Sequence, residues 1–495
     1  MGQGQSTEGR PLDSDFLIKT EAVEHRVVNV AIVGAGLSGL VAAYRLHLEG
    51  VSVAVIEASD HVGGRTLNLP VDLKGTVTEA GGQWVGPTQA SVLGIIEELG
   101  LKTFPTYADG DWKLGAFGLG MRMDGLVRDD AFEKAKDVLE ELSSQIDIFD
   151  PYAHPDAEVL DTTPFNKWIS KNCTSAAAEV MENMCRVMNA PSNKLSLLFV
   201  LWWLRSVGGY NAIADIRGGA QDMRVEGGSQ RISNELAGRL DVGAIVYRSP
   251  VRRIEQRDDA VTVLSDRVVV QCQRVVMSAQ PQLVARMSFD PPLPPEYVSA
   301  ASSLHGTNII KRAFVYKTPF WRDDGLSGLG YYRGGTHTYD NSPPDASCGI
   351  ITVFSPDPDD DRADQKVVGR LKVLFGSKAA SPERILRHNW ASNQFTATCV
   401  SAVPPAMMRS HHLLRLPLGR LHFAGAETAT VWYGYMDGAV SSGERAAEEI
   451  LAAFKTTGEH RRDAEDRGSP VQSSDEGKGG EEREQDADEG VATTT

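Results

Sequence analysis

The chain has 495 residues, which is long for a single hydrophobic core and predicts two domains. Its hydrophobic content of 41% is typical of a globular protein. The net charge of -16 argues against a nucleic-acid partner, because binding to phosphates needs a basic surface.

The first predicted element follows a polar leader at residues 1–27. Gly2 in that leader fits a loose N-myristoylation pattern, for which a flexible, unmodified segment is the simpler interpretation. A β-branched run begins at Val28 and predicts a buried parallel strand. A glycine-rich turn, a helix over 40–49 and a second strand over 51–56 follow, as expected at the beginning of a βαβ unit.

Helical periodicity then dominates residues 106–224, and strand patterns dominate residues 240–278. Helices are predicted at 92–99, 131–146, 176–188 and 438–454, and strands at 244–247, 251–256, 260–264, 267–270, 274–277, 309–316 and 349–354. The longest nearly apolar run, 195–204, has about half the length that crosses a bilayer, so we expect no transmembrane anchor. The acidic tail at 455–495 contains almost no bulky apolar residue and is predicted to be disordered.

The five cysteines are scattered along the chain, and none is spaced from another like a metal-binding pair. No cluster of histidines accompanies them. We therefore expect no disulfide framework, no metal site and a reducing, cytoplasmic compartment.

The glycine-rich turn has the spacing of a dinucleotide-binding site. Its residues are Gly34, Ala35, Gly36, Leu37, Ser38 and Gly39. The first glycine permits the tight turn, the second lets the backbone approach a pyrophosphate, and the third allows the helix to pack closely on the strand. The helix amides at Leu37 and Ser38 would face the phosphate charge. Glu57, followed by Ala58, lies where the ribose hydroxyls would be, although the pattern does not separate NAD from FAD and an unliganded glycine turn is the alternative.

Three later motifs resemble, in the same order, the signature of the flavin amine oxidases, the monoamine-oxidase-like family. They are Gly63-Gly64-Arg65, Gly81-Gly82-Gln83-Trp84, and Gly425-Ala426-Glu427 with Tyr435-Met436 behind it. The resemblance implies FAD as the cofactor, with the first motif at its pyrophosphate and the second along the flavin. It places Glu427 at the ribityl and phosphate region, and it makes Val251 a further FAD contact.

The resemblance also implies an α/β fold in which a Rossmann-type FAD-binding domain is interleaved with an α+β substrate domain. The FAD-binding domain is expected to comprise residues 28–105, 218–290 and 389–454. The substrate domain is expected to comprise residues 106–217 and 291–388.

Single residues acquire expected roles from the same resemblance. Lys311 matches the lysine that holds a water against flavin N5, whereas a surface lysine on a strand is the simpler alternative. Trp390 and Cys399 match the segment whose cysteine is bonded to the flavin in animal monoamine oxidases. A covalent thioether at Cys399 and a free, small buried cysteine are both left open.

The residue after that cysteine departs from the animal enzymes, which carry a tyrosine where this chain has Val400. Their active site guides the amine between two parallel aromatic rings. Tyr435 matches the second ring, and Tyr433 is expected to fill part of the space of the missing first ring. One aromatic face still attracts an amine, but substrate choice is expected to differ. Gln221 resembles a glutamine beside the substrate.

The implied partners are a small-molecule amine and oxygen. The implied reaction is oxidation of a primary (or secondary) amine to an imine or aldehyde, with release of ammonia and hydrogen peroxide and with oxygen as the electron acceptor. An L-amino-acid oxidase is disfavoured, because Gln83 and Trp84 stand where a cation for the carboxylate is expected. A polyamine oxidase would need carboxylates such as Asp215 or Glu226 in the cavity. A FAD-binding scaffold or redox sensor with little turnover is the alternative of another class. The oligomeric state, a homodimer included, is left open.

Overall fold

The computed structural model describes residues 23–72, 74–116, 119–123, 130–188, 190–306 and 310–458. The N-myristoylation pattern at Gly2 and most of the predicted leader lie outside the described residues. The predicted disordered tail also lies outside them, except for its first four residues. Three of those four are helical, because the last helix, Met436–Thr457, continues past the predicted boundary at 454.

Within the described residues, five strands form a parallel sheet. In spatial order they are Ile245–Val246, Val53–Ile56, Val30–Val33, Arg274–Met277 and Leu421–Phe423. Along one central strand, Val30 and Ile32 belong to one hydrophobic cluster, and Ala31 and Val33 belong to another. Because both faces of the strand are buried, its sequence is apolar at every position. The predicted α/β architecture is confirmed.

The first helix of the fold, Leu37–Leu48, packs directly on the last helix, Met436–Thr457. A Cβ atom on Gly443 would lie 2.3 Å from the backbone oxygen of Ser38, so only glycine permits this approach. Two helices from opposite ends of the chain are thereby held side by side against the parallel sheet.

A second sheet contains both parallel and antiparallel strand pairs. Its strands, in spatial order, are Glu24–Val27, Val268–Cys272, Val261–Ser265, Val251–Gln256 and Ser288–Asp290. The prediction that order begins at Val28 is wrong, because residues 24–27 already pair in parallel with Val268–Cys272. Their polar sequence carries no strand signal, since the pairing is made with a segment more than two hundred residues away.

A large sheet is built mainly from residues 310–389. Its strands, in spatial order, are Arg384–Asn389, Ile310–Tyr316, Gly349–Ser355, Thr336–Asp340, Leu326–Tyr332, Asp111–Ala116 and Leu119–Met123. The last two strands are exceptions to the prediction that residues 106–224 are largely helical, which holds for most of the elements of that segment. They form a hairpin, and its first strand pairs in parallel with Leu326–Tyr332, a contact that local periodicity cannot indicate.

Two small sheets complete the strand list. One comprises Trp84–Val85, Met223–Val225 and Thr103–Pro105, and the other comprises Asn68–Pro70 and Val77–Glu79. The remaining helices are Ala90–Glu98, Asp130–Ser144, Ala157–Thr162, Phe165–Asn172, Ser175–Val187, Leu197–Val207, Tyr210–Ala214, Gln230–Gly238, Pro281–Val284, Pro295–Ser303, Phe320–Asp323, Asp361–Phe375 and Met408–His411. Short 3-10 helices occur at Pro151–Ala153, Ser192–Lys194, Ser377–Ala380, Trp390–Ser392, His412–Arg415 and Ala426–Thr428.

The nearly apolar run over 195–204 becomes most of the helix Leu197–Val207, which is buried apart from Arg205. Ser196 caps its beginning by accepting a hydrogen bond from the Phe199 amide at 3.2 Å, and Gly208 ends it in the left-handed conformation. Across the described parts of the chain, no helix combines the length and the apolar character needed to cross a bilayer.

Candidate active site

A cavity of about 1050 Å³ begins at the carboxyl ends of the parallel strands. Val33, Ile56 and Ser278, which end or follow three neighbouring strands, all line it. Ligands of open parallel sheets bind at this edge, so the position is the expected one for a dinucleotide.

The glycine turn (residues 34–39) forms one part of the cavity wall. Gly34 has a φ of +103°, and a Cβ atom on Gly39 would lie 2.2 Å from the Gly34 oxygen. A Cβ atom on Gly36, in contrast, would meet nothing within 4 Å, and Gly36 lines the cavity. The turn is therefore tight on its inner side and open toward the cavity, as a backbone that approaches a pyrophosphate must be.

Glu57 lies beside this turn and is largely buried. Its Oε2 accepts a hydrogen bond from the Ala35 amide at 2.6 Å, and its Oε1 accepts one from the Ser59 amide at 2.7 Å. Among the residues that the structure describes, Glu57 is the only carboxylate that lines the cavity. It therefore holds the shape of the turn and presents acceptor oxygens to whatever occupies that region.

Arg65 lines the cavity and forms a bidentate pair with Glu427, at 2.6 and 2.8 Å. Burial alone would raise the pKa of Glu427, but the Arg65 guanidinium and further hydrogen bonds hold this pKa below its usual value. The implied role of Glu427 at the ribityl and phosphate region stays a prediction. Its carboxylate is fully buried and binds Arg65, Gln280 and Ser401 rather than facing the cavity.

Cys399 lies on a loop that two side chains hold in place. Gln280 accepts a hydrogen bond from the Ala397 amide at 2.8 Å and donates one to the Thr398 carbonyl at 2.9 Å, while Arg65 donates to the Cys399 carbonyl at 2.8 Å. The Cys399 side chain is accessible from the cavity yet lies deep in the protein, and this desolvation raises the pKa of its thiol.

An apolar wall, formed by Trp84, Trp203, Val400 and Tyr435, lines another part of the cavity. The Trp203 and Tyr435 rings are stacked, with centroids 6.5 Å apart and an interplanar angle of 23°. Gln221 lies beside this wall. The Tyr435 hydroxyl, the Gln221 Oε1 atom and the Trp84 Nε1 atom are buried without a hydrogen-bond partner in the described part of the chain. Unpaired polar atoms on an apolar surface indicate a ligand that supplies the missing bonds.

Tyr433 does not take the place of the missing first ring. It is fully buried behind the cavity, where its hydroxyl donates to the Ser401 carbonyl at 3.0 Å. Its ring packs edge-on against Phe199, Trp202 and His411. The expectation that Tyr433 fills part of that space is therefore wrong, since the side chain belongs to the hydrophobic core.

Lys311 lies behind the cavity on the strand Ile310–Tyr316 and is buried. Its Nζ donates to the Gly81 carbonyl at 2.9 Å and to Gln83 Oε1, and it lies over the rings of Trp84 and Phe354. Burial lowers the pKa of Lys311 to about 7. The alternative of a surface lysine is excluded.

Most of the residues predicted from sequence line this one cavity. They are Gly34, Gly36, Leu37, Ser38, Glu57, Ala58, Gly63, Gly64, Arg65, Gly82, Gln83, Trp84, Gln221, Val251, Trp390, Cys399, Ala426, Tyr435 and Met436. Others lie behind its wall, namely Gly39, Gly81, Lys311, Gly425, Glu427 and Tyr433.

Sequence reasoning missed Trp203 and Gln280, which also line the cavity. Trp203 lies within an apolar run that indicates only a core helix. Gln280 comes three residues after the strand Arg274–Met277, and a polar residue at the carboxyl end of a parallel strand is a signal that could have identified it.

The residues present fit a flavin dinucleotide. An open glycine turn, a pair of cavity-lining glycines at 63 and 64, and the amino terminus of the last helix, with Met436 and Ala439, all border the cavity. These groups suit a negatively charged pyrophosphate, whereas the apolar wall suits a flat ring system and an apolar substrate.

Comparison with known proteins agrees with this geometry. The model of the family described as flavin containing amine oxidoreductase matches residues 37–451. The probable flavin-containing monoamine oxidase A of Dictyostelium discoideum is 32% identical over 445 residues, which cover 85% of this chain and 97% of that protein. Putrescine oxidase of Kocuria rosea is 32% identical over 494 residues, 92% of this chain and 100% of that protein.

A solved structure of putrescine oxidase bound to putrescine has a TM-score of 0.81 and 32% identity, and the match covers 86% of this chain and 100% of that one. The family model begins inside the glycine turn, at Leu37, and spans the Gly63-Gly64-Arg65 motif and the beginning of the last helix, all of which border the cavity. The chain belongs to the flavin-containing amine oxidoreductase family, whose members are flavin-dependent oxidoreductases.

Proposed function

We propose that this protein is an FAD-dependent oxidase that converts a primary or secondary monoamine to an imine and passes the two electrons to molecular oxygen, which is released as hydrogen peroxide. For a primary amine, the imine hydrolyses to an aldehyde and ammonia. The observation that carries the proposal is a cavity that combines the apolar wall, with its unpaired Tyr435 and Gln221 oxygens, and a buried Lys311 whose Nζ lies over the ring of Trp84 in that wall.

When it is bound, the flavin supplies the acceptor for a hydride from the α-carbon of the amine. The protein supplies position and electrostatics. The ring of Tyr435 offers an aromatic face to the amine, and its stacking on Trp203 limits how far that ring can turn. Val400 leaves the other side apolar and uncharged, which favours the neutral form of the amine over the ammonium.

Lys311 holds a proton at the rear of the site. The Gly81 carbonyl and Gln83 Oε1 accept two of the three donors of its ammonium, so the third is available for a water or for the bound cofactor. Because burial lowers its pKa to about 7, Lys311 is protonated below about pH 7 and neutral above it.

The charged residues of the cavity also indicate which class of amine is the better substrate. A diamine carries a second ammonium that needs a carboxylate partner, and the one carboxylate among the described lining residues, Glu57, is bound at the glycine turn. Arg65, which could hold the carboxylate of an amino acid, is already paired with Glu427. We therefore expect apolar monoamines to be better substrates than putrescine or L-amino acids.

A peroxide assay over aromatic amines, aliphatic amines, diamines and amino acids tests this proposal. We expect peroxide with apolar monoamines and slower reoxidation of reduced flavin in Lys311→Met, because that variant removes the donor at the rear of the site. Lys317→Met, which changes an exposed lysine of the same region, is the matched control. Silence across the panel with FAD bound would leave a scaffold or redox sensor as the better description.

We further propose that Cys399 forms a thioether to the flavin, in which a C–S bond replaces the thiol S–H bond and a C–H bond of the flavin. The two electrons released pass through the flavin to oxygen, and the two protons pass to the hydrogen peroxide that forms. The accessible sulfur of Cys399 and the anchored loop support the bond, whereas the raised pKa of the thiol means that a base must remove the proton first. Acid precipitation of the holoenzyme gives a yellow pellet if the bond exists, and Cys399→Ala then releases all colour to the supernatant. Colour that is entirely soluble in the wild-type protein contradicts the proposal.

A further inference from the structure

Behind Lys311 lies a buried chain of polar side chains, of which the reaction outlined above uses only Gln83. Glu79, Gln83, Asn341 and Arg224 are all almost completely buried. Glu79 and Arg224 lie in strands of the two small sheets, and Gln83 lines the cavity. Asn341 directly follows the strand Thr336–Asp340 of the large sheet. Buried polar groups are costly unless every one has a partner, so their connections are informative.

The hydrogen bonds run in one direction along this chain. Arg224 donates to Glu79 Oε2 at 2.9 Å. Asn341 Nδ2 donates to the same Glu79 oxygen at 3.0 Å and to Thr78 Oγ1 at 2.9 Å. This leaves Asn341 Oδ1 to accept from Gln83 Nε2 at 2.7 Å, and Gln83 Oε1 then accepts from Lys311 Nζ.

The direction is fixed at the Glu79 end. A carboxylate only accepts hydrogen bonds, and the Arg224 guanidinium, which cannot lose its proton, pairs with it. If the Asn341 amide were reversed, its oxygen would face the carboxylate oxygen of Glu79. Its nitrogen would then force Gln83 to turn its own amide nitrogen toward the Lys311 ammonium, so that two donors would meet.

We propose that Glu79, Asn341 and Gln83 are positioning residues for Lys311, forming an amide relay in which the Glu79 carboxylate directs the Gln83 carbonyl oxygen at the lysine. The relay holds the lysine proton at the rear of the cavity. This inference rests on the role proposed above for Lys311. It adds three side chains, one of them on the large sheet, to the set that governs the site.

Other groups around Lys311 act on its charge as well. Glu79 stabilises the ammonium, whereas Arg224 destabilises it, and the Cys399 thiol lies near enough to contribute. On the neighbouring strands, Phe354 and His388 lie opposite Lys311 in the register. The test must therefore separate the amide relay from these charges.

The experiment follows the titration of Lys311 itself in the flavin-loaded protein. Lysine labelled with carbon-13 at Cε is read by NMR as a function of pH, and the Lys311 signal is identified by its loss in Lys311→Met. We expect Asn341→Ala to lower the midpoint by about one pH unit, because the Gln83 carbonyl is no longer directed at the ammonium. The double variant Gln83→Glu with Asn341→Ala is expected to restore the midpoint, since a carboxylate accepts in either orientation.

Asn172→Ala, which removes an asparagine from a distant helix, is the control and is expected to leave the midpoint unchanged. If Asn341→Ala does not fold, Gln83→Met removes the same acceptor directly and is expected to give the same shift. An unchanged midpoint in the folded variants, or a double variant that stays at the lowered midpoint, overturns the inference. The midpoint is read without amine turnover, so a failure of the proposed oxidase activity is seen separately in the peroxide assay.

Discussion

Gly36 shows how one missing side chain shapes a binding site. Its backbone is in an extended conformation at the beginning of the first helix, with a φ of -70°, so a larger residue is not strained there. A side chain on it would project into open space that belongs to the cavity. A substitution at Gly36 should therefore weaken ligand binding without destabilising the fold.

We expect Gly36→Val to fold like the wild-type protein but to be purified without flavin, because the valine occupies space that the cofactor needs. Flavin content is measured by absorbance at about 350 to 500 nm, where flavin absorbs. Folding is measured by thermal unfolding with and without added FAD. Gly369→Val, on an exposed helix position where a Cβ atom also meets nothing within 4 Å, is the control and should stay yellow. Normal flavin content in Gly36→Val would falsify the assignment of this turn.

The Arg65–Glu427 pair gives a second residue-scale expectation, with a defined pH dependence. Because the pKa of Glu427 is lowered in the folded state, the pair stabilises the protein above the usual carboxyl pKa, and this stabilisation is lost as the pH falls through the lowered value. Glu427→Gln removes the charged partner of the Arg65 guanidinium, which is only partly exposed and keeps its bond to the Cys399 carbonyl, so we expect a loss of about 3 kcal/mol of unfolding free energy at pH 7. The difference from wild type should shrink at acidic pH.

Denaturant unfolding at pH 7 and at an acidic pH near the lowered pKa of Glu427 checks that expectation. Glu235→Gln breaks an exposed ion pair with Arg231, and it should change the unfolding free energy by less than about 1 kcal/mol at either pH. Equal losses in the two variants would contradict the assigned strength of the buried pair.

At the scale of the element, the strand Ile310–Tyr316 carries two buried cations side by side. Alternation sends Lys311 to the cavity side and Arg312 to the opposite face, where Arg312 binds Asp364 at 2.7 Å. Asp364 belongs to the helix Asp361–Phe375, which covers that face of the large sheet. The strand therefore holds the site on one side and the supporting helix on the other.

That helix allows a test of a single element. Asp360 caps its beginning by accepting a hydrogen bond from the Ala363 amide at 2.7 Å. We expect Asp360→Ala to lower the free energy of unfolding by about 1 kcal/mol while flavin content stays at the wild-type level, because the cap lies outside the cavity lining. Asp360→Ser, which retains a capping oxygen, should recover most of the loss. An unaltered unfolding curve in Asp360→Ala would show that the cap contributes nothing.

The sequence could predict those elements whose signal is local. The strand at Val251–Gln256 and the strand at Arg274–Met277 were predicted with the bounds that the structure has, because each is a β-rich run between turns. The strands at 111–116 and 119–123 could not be predicted, since the first of them also pairs with a segment some two hundred residues further along. Among site residues, motif glycines were found by spacing, whereas Asn341 and Trp203 act through tertiary contacts that no motif marks.

At the scale of the whole molecule, the cavity is assembled from distant parts of the chain. The glycine turn, the loop with Gln280, the loop with Cys399 and the beginning of the last helix each contribute lining residues. Gly443 allows that last helix to pack closely against the first one. A ligand that contacts all these segments stabilises the whole fold, because it binds only when they are together.

The packing of the last helix on the first also determines when the flavin can be bound during biosynthesis. Residues 426–439, which complete the cavity, are made roughly 400 residues after the glycine turn, on the order of 20–80 s later at ordinary elongation rates. Flavin can therefore be enclosed only after residues 426–439 have been made. Chains that terminate before Met436 should bind no flavin and should therefore be colourless. A shortage of flavin should affect the completed chain and not the chain during its synthesis.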